Sequence, residues 1–279
     1  MSKTNKCAIT GSNGYLGKKL VLFFERQGWE VIKLTSKKDN NSSSLTFNLK
    51  DHENVNLEIL KECSVLIHLA YDYTAKNIEE SFYINVEGSS KIFEIASSLG
   101  VNKIINISSI SAFNKAKSVY GRTKLEIEKA GKKFGVINLR AGLLFGDDSR
   151  MFDKIERICK KFPIIPLIGS GNFKLHLCHY EDFLNFILKI IEDSSCDTSK
   201  IYYCCSKEFI TFRDLLKKIS GNKLLIPIPK NLIIFGLYFL ELFGIRAPFT
   251  VDNLSGLISY SDEIDFTSTD KYQINFRLL

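Results

Sequence analysis

The stretch "KCAITGSNGYLGKKL" (6–20) constrains the fold of this chain more than any other part. A short apolar run ends at Gly11, and residues 15–27 continue with apolar side chains at helical spacing. Gly11, Gly14 and Gly17 stand three residues apart where the predicted strand meets the predicted helix. Free backbone N–H groups at a helix N-terminus suit a pyrophosphate, because the helix dipole also favours negative charge. The stretch therefore predicts a dinucleotide-binding loop.

Predicted strands and helices alternate through the first 140 residues. Residues 64–70 form a continuous apolar run, typical of a strand buried on both faces of a sheet. Strands joined by helices pair in parallel, with right-handed crossovers. We therefore expect an α/β fold, a doubly wound parallel (Rossmann) sheet with a small discontinuous C-terminal substrate lobe. The predicted strands cover 6–10, 30–34, 45–47, 64–70, 103–108 and 136–140, and the predicted helices 15–27, 77–99 and about 119–133.

The second half of the chain is less regular, because short strands separate its helices. We expect a dinucleotide-binding Rossmann domain over residues 1–145. Residues 146–279 are expected to form mainly a substrate-binding lobe, with some segments returning to the sheet. The helices predicted there cover about 151–161, 181–192, 211–219 and 231–243, and the strands include 174–178, 201–205 and 224–228.

Charge and cysteine content narrow the classes of function. The 279 residues carry a net charge of +7 from scattered lysines, which favours anionic ligands and predicts no nucleic-acid partner. Seven cysteines form no CxxC pair and four histidines give no metal-ligand spacing, so we expect free thiols, a reducing cytoplasm and no metal. We expect neither a signal peptide nor a membrane span, since the longest apolar run, 232–240, falls short of ~20 residues.

Five motifs stand in an order typical of one enzyme family. The glycine loop has the spacing GxxGxxG, and "VLIHLAY" (65–71) follows as a fourth-strand motif. Further along come "NVEGSSKIFEIA" (85–96), "LRAGLLFG" (139–146) and "HLCHYEDF" (176–183). Together they resemble the extended short-chain dehydrogenase/reductases, the NAD-dependent epimerase/dehydratase (nucleotide-sugar epimerase) family. The resemblance implies a nicotinamide cofactor and hydride transfer to or from a nucleotide-activated sugar.

Tyr120 and Lys124 have the YxxxK spacing of an acid–base pair. The same spacing occurs at 15/19 and 203/207, but only this pair opens a helix directly after the fifth strand. Positions i and i+4 lie on one helical face, where an ammonium favours the phenolate and lowers the tyrosine pKa toward working pH. The tyrosine then exchanges a proton with a substrate oxygen while nicotinamide C4 takes or gives hydride. By the resemblance, the lysine also binds the nicotinamide ribose.

A serine hydroxyl at the end of the fifth strand would orient and polarise the same substrate oxygen. Ser108 and Ser109 both stand there. Aligning "SISAF" (109–113) on the family pattern selects Ser109 as the catalytic serine and makes Ser108 a cofactor contact. The simpler alternative is that both serines only end a strand.

The end of the second strand distinguishes NAD from NADP. No acid occurs there before Asp39, and two hydroxyls and two lysines (35–38) favour NADP mildly over NAD. Asn48 replaces the aspartate that the family has beside the adenine, and its amide can still bond the base edge. The resemblance implies cofactor contacts from Gly11, Ser12, Asn13, Gly14, Tyr15, Leu16, Thr35, Ser36, Lys37, Asn48, Leu49, Leu69, Ala70, Tyr71, Ser108, Tyr120, Lys124, Ala141 and Leu143.

The segment between the serine and the tyrosine departs from the family. Only ten residues, 110–119, separate Ser109 from Tyr120, whereas nucleotide-sugar epimerases have a longer, proline-containing segment. Ala141 also stands where the family usually has proline. The short segment removes one wall of the usual sugar pocket. It therefore puts the identity of the substrate in question more than the catalytic residues. The alternatives to a nucleotide-sugar epimerase, dehydratase or reductase are a ketoreductase of a non-sugar alcohol and a catalytically silent NAD(P)-binding sensor or assembly protein.

Other polar residues near the motifs have both structural and functional interpretations. Asn85 is expected to fix backbone near the active-site strand, Asp182 to cap or anchor a helix, and His179 to be structural. Tyr71 and Asp72 either face the substrate or are ordinary loop residues. Three basic residues are candidates for binding a nucleotide diphosphate: Arg150, Lys174 and Arg246.

The segment "NLIIFGLYFLELFG" (231–244) is almost entirely apolar. It predicts a helix that is buried in the small lobe or forms a dimer contact. The alternative is an interfacial helix that brings the enzyme to a membrane surface. By the resemblance, two helices of the sheet commonly form a homodimer contact in this family.

Overall fold

The computed structural model describes residues 5–36, 44–53, 55–221, 223–244, 249–259 and 263–279. Two predicted functional residues, Lys37 and Arg246, lie outside these ranges, as do Lys38 and the side chain of Arg150. The strands are β1 (Lys6–Thr10), β2 (Glu30–Thr35), β3 (Ser44–Thr46), β4 (Val65–His68), β5 (Lys103–Ser109), β6 (Ile137–Ala141), β7 (Leu143–Phe145), β8 (Ile164–Ile168), β9 (Lys174–Leu175), β10 (Leu177–His179), β11 (Ile201–Cys204), β12 (Ile210–Thr211) and β13 (Leu224–Ile228).

Helices follow most of the strands, close to the predicted positions. They are α1 (Tyr15–Arg26), α2 (Ile78–Ser81), α3 (Gly88–Ser98), α4 (Val119–Gly131), α5 (Arg150–Lys161), α6 (Tyr180–Glu192), α7 (Phe212–Ser220), α8 (Lys230–Leu242), α9 (Val251–Ile258) and α10 (Thr267–Lys271).

The centre of the fold is a seven-stranded parallel sheet in the order β11-β6-β5-β4-β1-β2-β3. The strands β1, β4 and β6 are buried on both faces, and alternate residues contribute to opposite cores. Cys7 and Ile9 of β1 face a core with α1 and α6, while Ala8 faces a core with α3 and α4. The predicted doubly wound α/β sheet is confirmed.

The helix expected over 77–99 differs from the prediction. α2 and α3 flank a π-helical stretch, Phe82–Glu87, which contains the fully buried Asn85. The side-chain oxygen of Asn85 accepts the N–H of Asp72 at 2.7 Å, and its amide donates to the Asp72 carbonyl at 3.1 Å. π-helical turns of this kind are frequent at functional sites. Asn85 therefore fixes the backbone that follows β4, as expected.

The C-terminal part has one portion in the sheet and one beside it. β11 pairs in parallel with β6, and α6 packs on the same sheet face as α1. A separate core joins α5, α7, β8 and neighbouring loops through side chains such as Ile155, Leu167 and Leu215. The domain boundary at residue 145 stays a prediction.

Three general features bear on function. None of the described helices combines the length and the apolar character needed to cross a bilayer. All seven cysteines are free, and only Cys196 is not buried. Across the described ranges, no three His, Cys, Asp or Glu side chains cluster as a metal site would need.

Candidate active site

The glycine loop between β1 and α1 has a geometry that side chains would block. Gly11 has φ +64°, and a Cβ there would lie 3.1 Å from the backbone nitrogen of Ala70. A Cβ at Gly17 would lie 2.2 Å from the Gly11 carbonyl oxygen, so α1 packs on the loop only with glycine there. No side chain caps the start of α1, and its first turn holds no acid. The helix N-terminus therefore suits an anionic group.

A buried polar chain fixes this loop to the end of β4. The hydroxyl oxygen of Thr10 accepts the N–H groups of Leu69 and Ala70, and lies 2.9 Å from Nδ1 of His68. Nε2 of His68 lies 2.8 Å from the Ser89 hydroxyl oxygen. Burial lowers the pKa of His68 to about 3, so the ring is neutral. Because the Thr10 oxygen already accepts two hydrogen bonds, we infer that its hydroxyl donates to Nδ1 of His68. The proton of the neutral ring then lies on Nε2, which donates to the Ser89 hydroxyl oxygen.

A cleft of about 550 Å³ runs from the glycine loop to α4. Ser12 is the exception among the predicted cofactor residues that the structure describes, because it does not line the cleft and its hydroxyl donates to the Leu34 carbonyl. The cleft and the glycine cradle together fit a dinucleotide. Predicted residues in the lining are Gly11, Asn13, Gly14, Tyr15, Leu16, Thr35, Ser36, Asn48, Leu49, Leu69, Ala70, Tyr71, Ser108, Tyr120, Lys124, Ala141 and Leu143.

Ser109, Tyr120 and Lys124 meet at the far end of this cleft. Ser109 and Tyr120 both line this end of the cleft, and the Ser109 side chain opposes the rise in the pKa of Tyr120. Lys124 donates from Nζ to the Ile107 carbonyl at 2.8 Å. The Ser108 hydroxyl is turned away and donates to Oε1 of Glu128 at 2.5 Å. Ser109 is thus the serine whose hydroxyl faces the tyrosine. The catalytic roles of the three residues stay predictions.

The electrostatics of Tyr120 differ from the expectation. Burial, together with the neighbouring phenols of Tyr73 and Tyr71, raises the pKa of Tyr120 well above its usual value, although the Ser109 hydrogen bond opposes this. Burial also lowers the pKa of Lys124 to about 8, against the attraction of Glu128. The shift in the pKa of Tyr120 is therefore opposite to the depression expected from a nearby ammonium, because desolvation disfavours the charged forms of both groups.

A buried ion pair supports α4 one turn beyond Lys124. Arg140 of β6 donates to Glu128 of α4 from Nε at 2.9 Å and from Nη2 at 2.7 Å. Nη1 of Arg140 also donates to the Tyr203 hydroxyl at 3.0 Å. Breaking such a pair would leave an uncompensated buried charge. The pair therefore ties α4 to β6 and β11.

The other two YxxxK pairs have different environments. The Tyr203 hydroxyl accepts from Arg140, and Lys207 forms an ion pair with Asp270. The Lys19 ammonium lies 3.9 Å from the ring centroid of Tyr180. Neither pair has a serine hydroxyl beside its phenol among the described contacts, so the choice of Tyr120 and Lys124 agrees with the geometry.

Tyr73, which sequence reasoning did not single out, covers the predicted catalytic tyrosine. Its ring is 66% exposed and stacks on Tyr120, with 6.0 Å between centroids and 15° between planes. Asp72 lines the large cleft but not the smaller cavity beside Ser109, and its carboxylate accepts from the N–H and hydroxyl of Thr74 at 2.7 and 2.6 Å. The turn that Asp72 forms positions Tyr73.

Asp252 is the second residue that the sequence did not reveal. Its carboxylate accepts the backbone N–H of Val119 at 2.5 Å and that of Tyr120 at 3.3 Å. It thereby caps α4 from α9, in addition to the cap that Ser118 provides through the N–H of Gly121. Val119 and Asp252 lie far apart along the chain, and no local pattern links them.

A second cavity of about 220 Å³ adjoins the Ser109 and Tyr120 hydroxyls. Its polar side chains are Ser111, His176, Asp252 and Asn253, besides the hydroxyls of Ser109, Tyr120 and Tyr73. Among the described residues, no lysine or arginine lines it. Lys174 lies elsewhere, over the ring of Phe209. Apolar side chains form most of the wall: Ile110, Leu143, Leu144, Met151, Leu175 and Leu257.

Two polar residues of the "HLCHYEDF" motif are structural. Asp182 accepts two hydrogen bonds from the Arg277 guanidinium and one from the Arg277 backbone N–H. The expected anchoring role is confirmed, with the C-terminal segment as partner. His179 caps α6 by accepting the N–H of Glu181 at Nδ1, 3.4 Å away.

Comparison with known proteins places the chain in a family. The family model for "NAD dependent epimerase/dehydratase family" matches residues 7–205. The chain belongs to this family. The match includes the glycine loop, Ser109, Tyr120 and Lys124, and with the dehydrogenases among the relatives it identifies an NAD(P)-dependent oxidoreductase or epimerase.

Curated relatives of this family member have diverse activities. "NADH dehydrogenase [ubiquinone] 1 alpha subcomplex subunit 9, mitochondrial" of Dictyostelium discoideum is 25% identical over 94% of this chain and 76% of that protein. The sterol-4-alpha-carboxylate 3-dehydrogenase (decarboxylating) of the same organism is 22% identical, with 79% of each chain covered. A ceramide reductase of Caulobacter vibrioides is 24% identical over 63% of this chain and 57% of that protein.

Solved structures share the fold along nearly the whole chain. MoeE5 in complex with UDP-glucuronic acid and NAD superposes with a TM-score of 0.72 at 16% identity, covering 98% of this chain and 94% of that one. The UDP-N-acetylglucosamine 4-epimerase of Bacillus cereus gives 0.66 at 19% identity, with 91% and 98% covered. At these identities the likeness establishes the fold alone.

Proposed function

We propose that the protein is an NAD(P)-dependent dehydrogenase or reductase that moves a hydride between nicotinamide and an alcohol or ketone carbon of an apolar, lipid-like substrate. The observation that carries this proposal is the largely apolar wall of the cavity beside Ser109 and Tyr120, which no described lysine or arginine lines. A nucleotide diphosphate would gain most from arginine or lysine at that position. The cavity of about 220 Å³ holds the reacting end of a larger molecule.

The chemistry follows from the three polar groups at the end of the cleft. The bound dinucleotide supplies a hydride donor or acceptor at nicotinamide C4. Tyr120 exchanges a proton with the substrate oxygen, and Ser109 donates a hydrogen bond to that oxygen. The raised pKa of Tyr120 keeps the phenol protonated at neutral pH, which suits proton donation to a ketone.

The names of two relatives also support an apolar substrate. The sterol dehydrogenase and the ceramide reductase both act, by their names, on lipids. The short segment 110–119 leaves the cavity without the longer wall that nucleotide-sugar epimerases have between serine and tyrosine. The described end of β2 offers Thr35 and Ser36 and no acid, so we propose NADP or NAD, with NADP mildly favoured.

A nucleotide sugar is the second candidate substrate. Asp252, Asn253 and His176 give the cavity one polar side, and the structural neighbours include enzymes with UDP-sugars bound. The relative named as an NADH dehydrogenase subunit favours a third candidate, a catalytically silent assembly protein. The juxtaposition of Ser109, Tyr120 and Lys124 argues against it, since a silent protein has no need of this arrangement.

A substrate panel separates these candidates. Purified protein is mixed with NADPH or NADH and with a steroid ketone, a keto-sphingoid base, UDP-glucose or UDP-N-acetylglucosamine, and nicotinamide absorbance is followed. The proposal predicts that NADPH or NADH is oxidised when a lipid ketone is present and is reduced to the alcohol. Isomerised UDP-sugar without net absorbance change would instead identify an epimerase. Cofactor binding without turnover of any class would favour the silent protein.

A further inference from the structure

The helix α8 presents an apolar face that nothing in the described structure covers. Its exposed side chains recur every three or four residues, which places them along one side of the helix. The less exposed side chains, such as Ile234, Leu237 and Leu240, lie on the opposite side. We define the α8 face as Leu232, Phe235, Tyr238, Phe239, Leu242 and Phe243, each more than half exposed.

A second apolar surface lies on the two-stranded sheet that precedes α8. β13 pairs in parallel with β8, with Leu224 opposite Ile164 and Ile226 opposite Pro166. These four residues are exposed, whereas Ile165 and Leu167 point into the core. Pro229 alone separates this sheet from α8. The outward face of the sheet therefore adds apolar area to the same region of the chain.

Lysines without carboxylate partners border these surfaces. Lys223 directly precedes β13, and Lys161 ends α5 three residues before β8 begins. The parallel pairing of the two strands brings their starts together. Lys230 begins α8. None of the three forms an ion pair with a described carboxylate, and Nζ of Lys223 donates to backbone carbonyls at the end of α5, such as that of Phe162 at 3.1 Å. The surfaces are thus both apolar and positively charged.

We propose that the α8 face and the outward sheet face bind the surface of a bilayer that contains anionic lipids. Aromatic and leucine side chains enter the boundary between headgroups and acyl chains, while the lysines bind headgroup phosphates and carboxylates. Lysine is depleted in protein–protein interfaces, so its presence at this border favours lipid over a partner protein. A second copy of the chain would bring the same lysines against each other.

The length of α8 fits this mode of binding. Thirteen residues at 1.5 Å per residue give about 20 Å, too short to span the ~30 Å hydrocarbon core. A helix of this length can lie along the interface but cannot cross the hydrocarbon core. The proposal concerns only this surface and does not depend on which substrate the enzyme uses.

Hydrogen bonds through α9 link α8 to α4, the helix that carries Tyr120. Oε1 of Glu241 in α8 accepts the N–H of Val251 at 3.0 Å. The next residue, Asp252, caps α4 at Tyr120. α9 also contributes Asn253, Gly256 and Leu257 to the substrate cavity. A bilayer at α8 would thus lie one short helix away from the cavity.

Flotation of the full-length protein with lipid vesicles tests the proposal. Vesicles of phosphatidylcholine are compared with vesicles containing about one-third phosphatidylserine, without substrate or cofactor. We expect binding to the anionic vesicles and binding about tenfold or more weaker to the neutral ones. Because no turnover is measured, failure of the enzymatic proposal would leave this result unaffected.

Two pairs of variants locate the surface. Phe235→Ser with Phe239→Ser should weaken binding to anionic vesicles by about tenfold or more, whereas Leu22→Ser, at an exposed apolar position on α1, should not. Lys161→Glu with Lys230→Glu should abolish the preference for anionic lipid, and Lys132→Glu with Lys133→Glu should retain it. Circular dichroism and cofactor binding verify that each variant is folded.

Three results would overturn the proposal. The first is that the wild type does not bind anionic vesicles, and the second is that the Phe235→Ser, Phe239→Ser variant binds them as tightly as the wild type. The third is that light scattering shows a dimer for the wild type and a monomer for this variant, while neither protein binds vesicles. The last would assign the α8 face to a second copy of the chain.

Discussion

The ring of Tyr73 stacks on that of Tyr120 at a centroid distance of 6.0 Å, so the predicted catalytic phenol lies beneath a second, largely exposed phenol. The pKa of Tyr120 is raised mainly by burial and then by Tyr73, whose hydroxyl also forms a hydrogen bond to it. Tyr73 therefore influences both access to the site and its protonation.

Removing the Tyr73 hydroxyl should lower the pKa of Tyr120. The Tyr73→Phe variant keeps the stacked ring but loses the hydrogen bond and the charge repulsion that raise this pKa. The alkaline limb of the kcat profile should move to lower pH, by up to about one unit. Tyr83→Phe, a partly exposed tyrosine elsewhere, should leave the profile unchanged. A shift to higher pH in Tyr73→Phe would refute this role.

Asp252 should stabilise the catalytic helix as a cap supplied by α9. Asp252→Ala removes the acceptor for the N–H groups of Val119 and Tyr120, and we expect a loss of about 1 kcal/mol in the free energy of unfolding. Asp252→Asn keeps an acceptor oxygen and should recover part of that loss. Urea denaturation measures both values. Asp197→Asn, in an exposed turn, is the matched control, and equal stability of Asp252→Ala and wild type would disprove the cap.

The buried Lys124 should make stability depend on alkaline pH. Its pKa is about 8 in the native state and near 10.5 when exposed, so the unfolded chain binds the extra proton between those values. The buried, charged Lys124 therefore lowers the free energy of unfolding by its full amount below pH 8. Between pH 8 and 10.5 the free energy of unfolding rises with pH, by at most about 1.4 kcal/mol per pH unit. Lys124→Met should be more stable than wild type near neutral pH, with the difference vanishing above the window. A difference independent of pH would contradict a buried, titrating lysine.

The glycine loop should not tolerate a methyl group at residue 17. In Gly17→Ala the Cβ would lie 2.2 Å from the Gly11 carbonyl oxygen, so α1 must move away from the loop that cradles the cofactor. We expect NADPH affinity to fall by at least about tenfold, in line with ~1.4 kcal/mol of lost positioning. Calorimetric titration measures this affinity. Gly236→Ala, where a Cβ meets nothing within 4 Å, should bind the cofactor like wild type.

The fold was predictable because it rests on local patterns. The apolar run of β4, the helical spacing in α1 and the glycines between strand and helix all lie within short stretches of sequence. The π-helical turn around Asn85 was not predictable, because it depends on a bond to Asp72 in a separate loop.

Within the site, the meeting of Ser109, Tyr120 and Lys124 could be predicted from the sequence, and their surroundings could not. Ser109, Tyr120 and Lys124 lie on one strand and the helix that follows it. Asp252 reaches the same helix from a distant part of the chain, and Tyr73 reaches it through a turn. The direction of the Tyr120 pKa shift also depends on burial, which spacing alone does not reveal.

The rate of hydride transfer in Tyr120→Phe tests the central claim most directly. The phenyl ring keeps the stack with Tyr73, so NADPH should bind with unchanged affinity. Loss of the proton-transferring hydroxyl should lower kcat by about 100-fold or more with the substrate found in the panel. The hydroxyl of Tyr71 is hydrogen-bonded to Ser81, so the Tyr71→Phe variant should keep most of the activity. A Tyr120→Phe variant with wild-type kcat would contradict the assignment of this tyrosine as the acid–base residue.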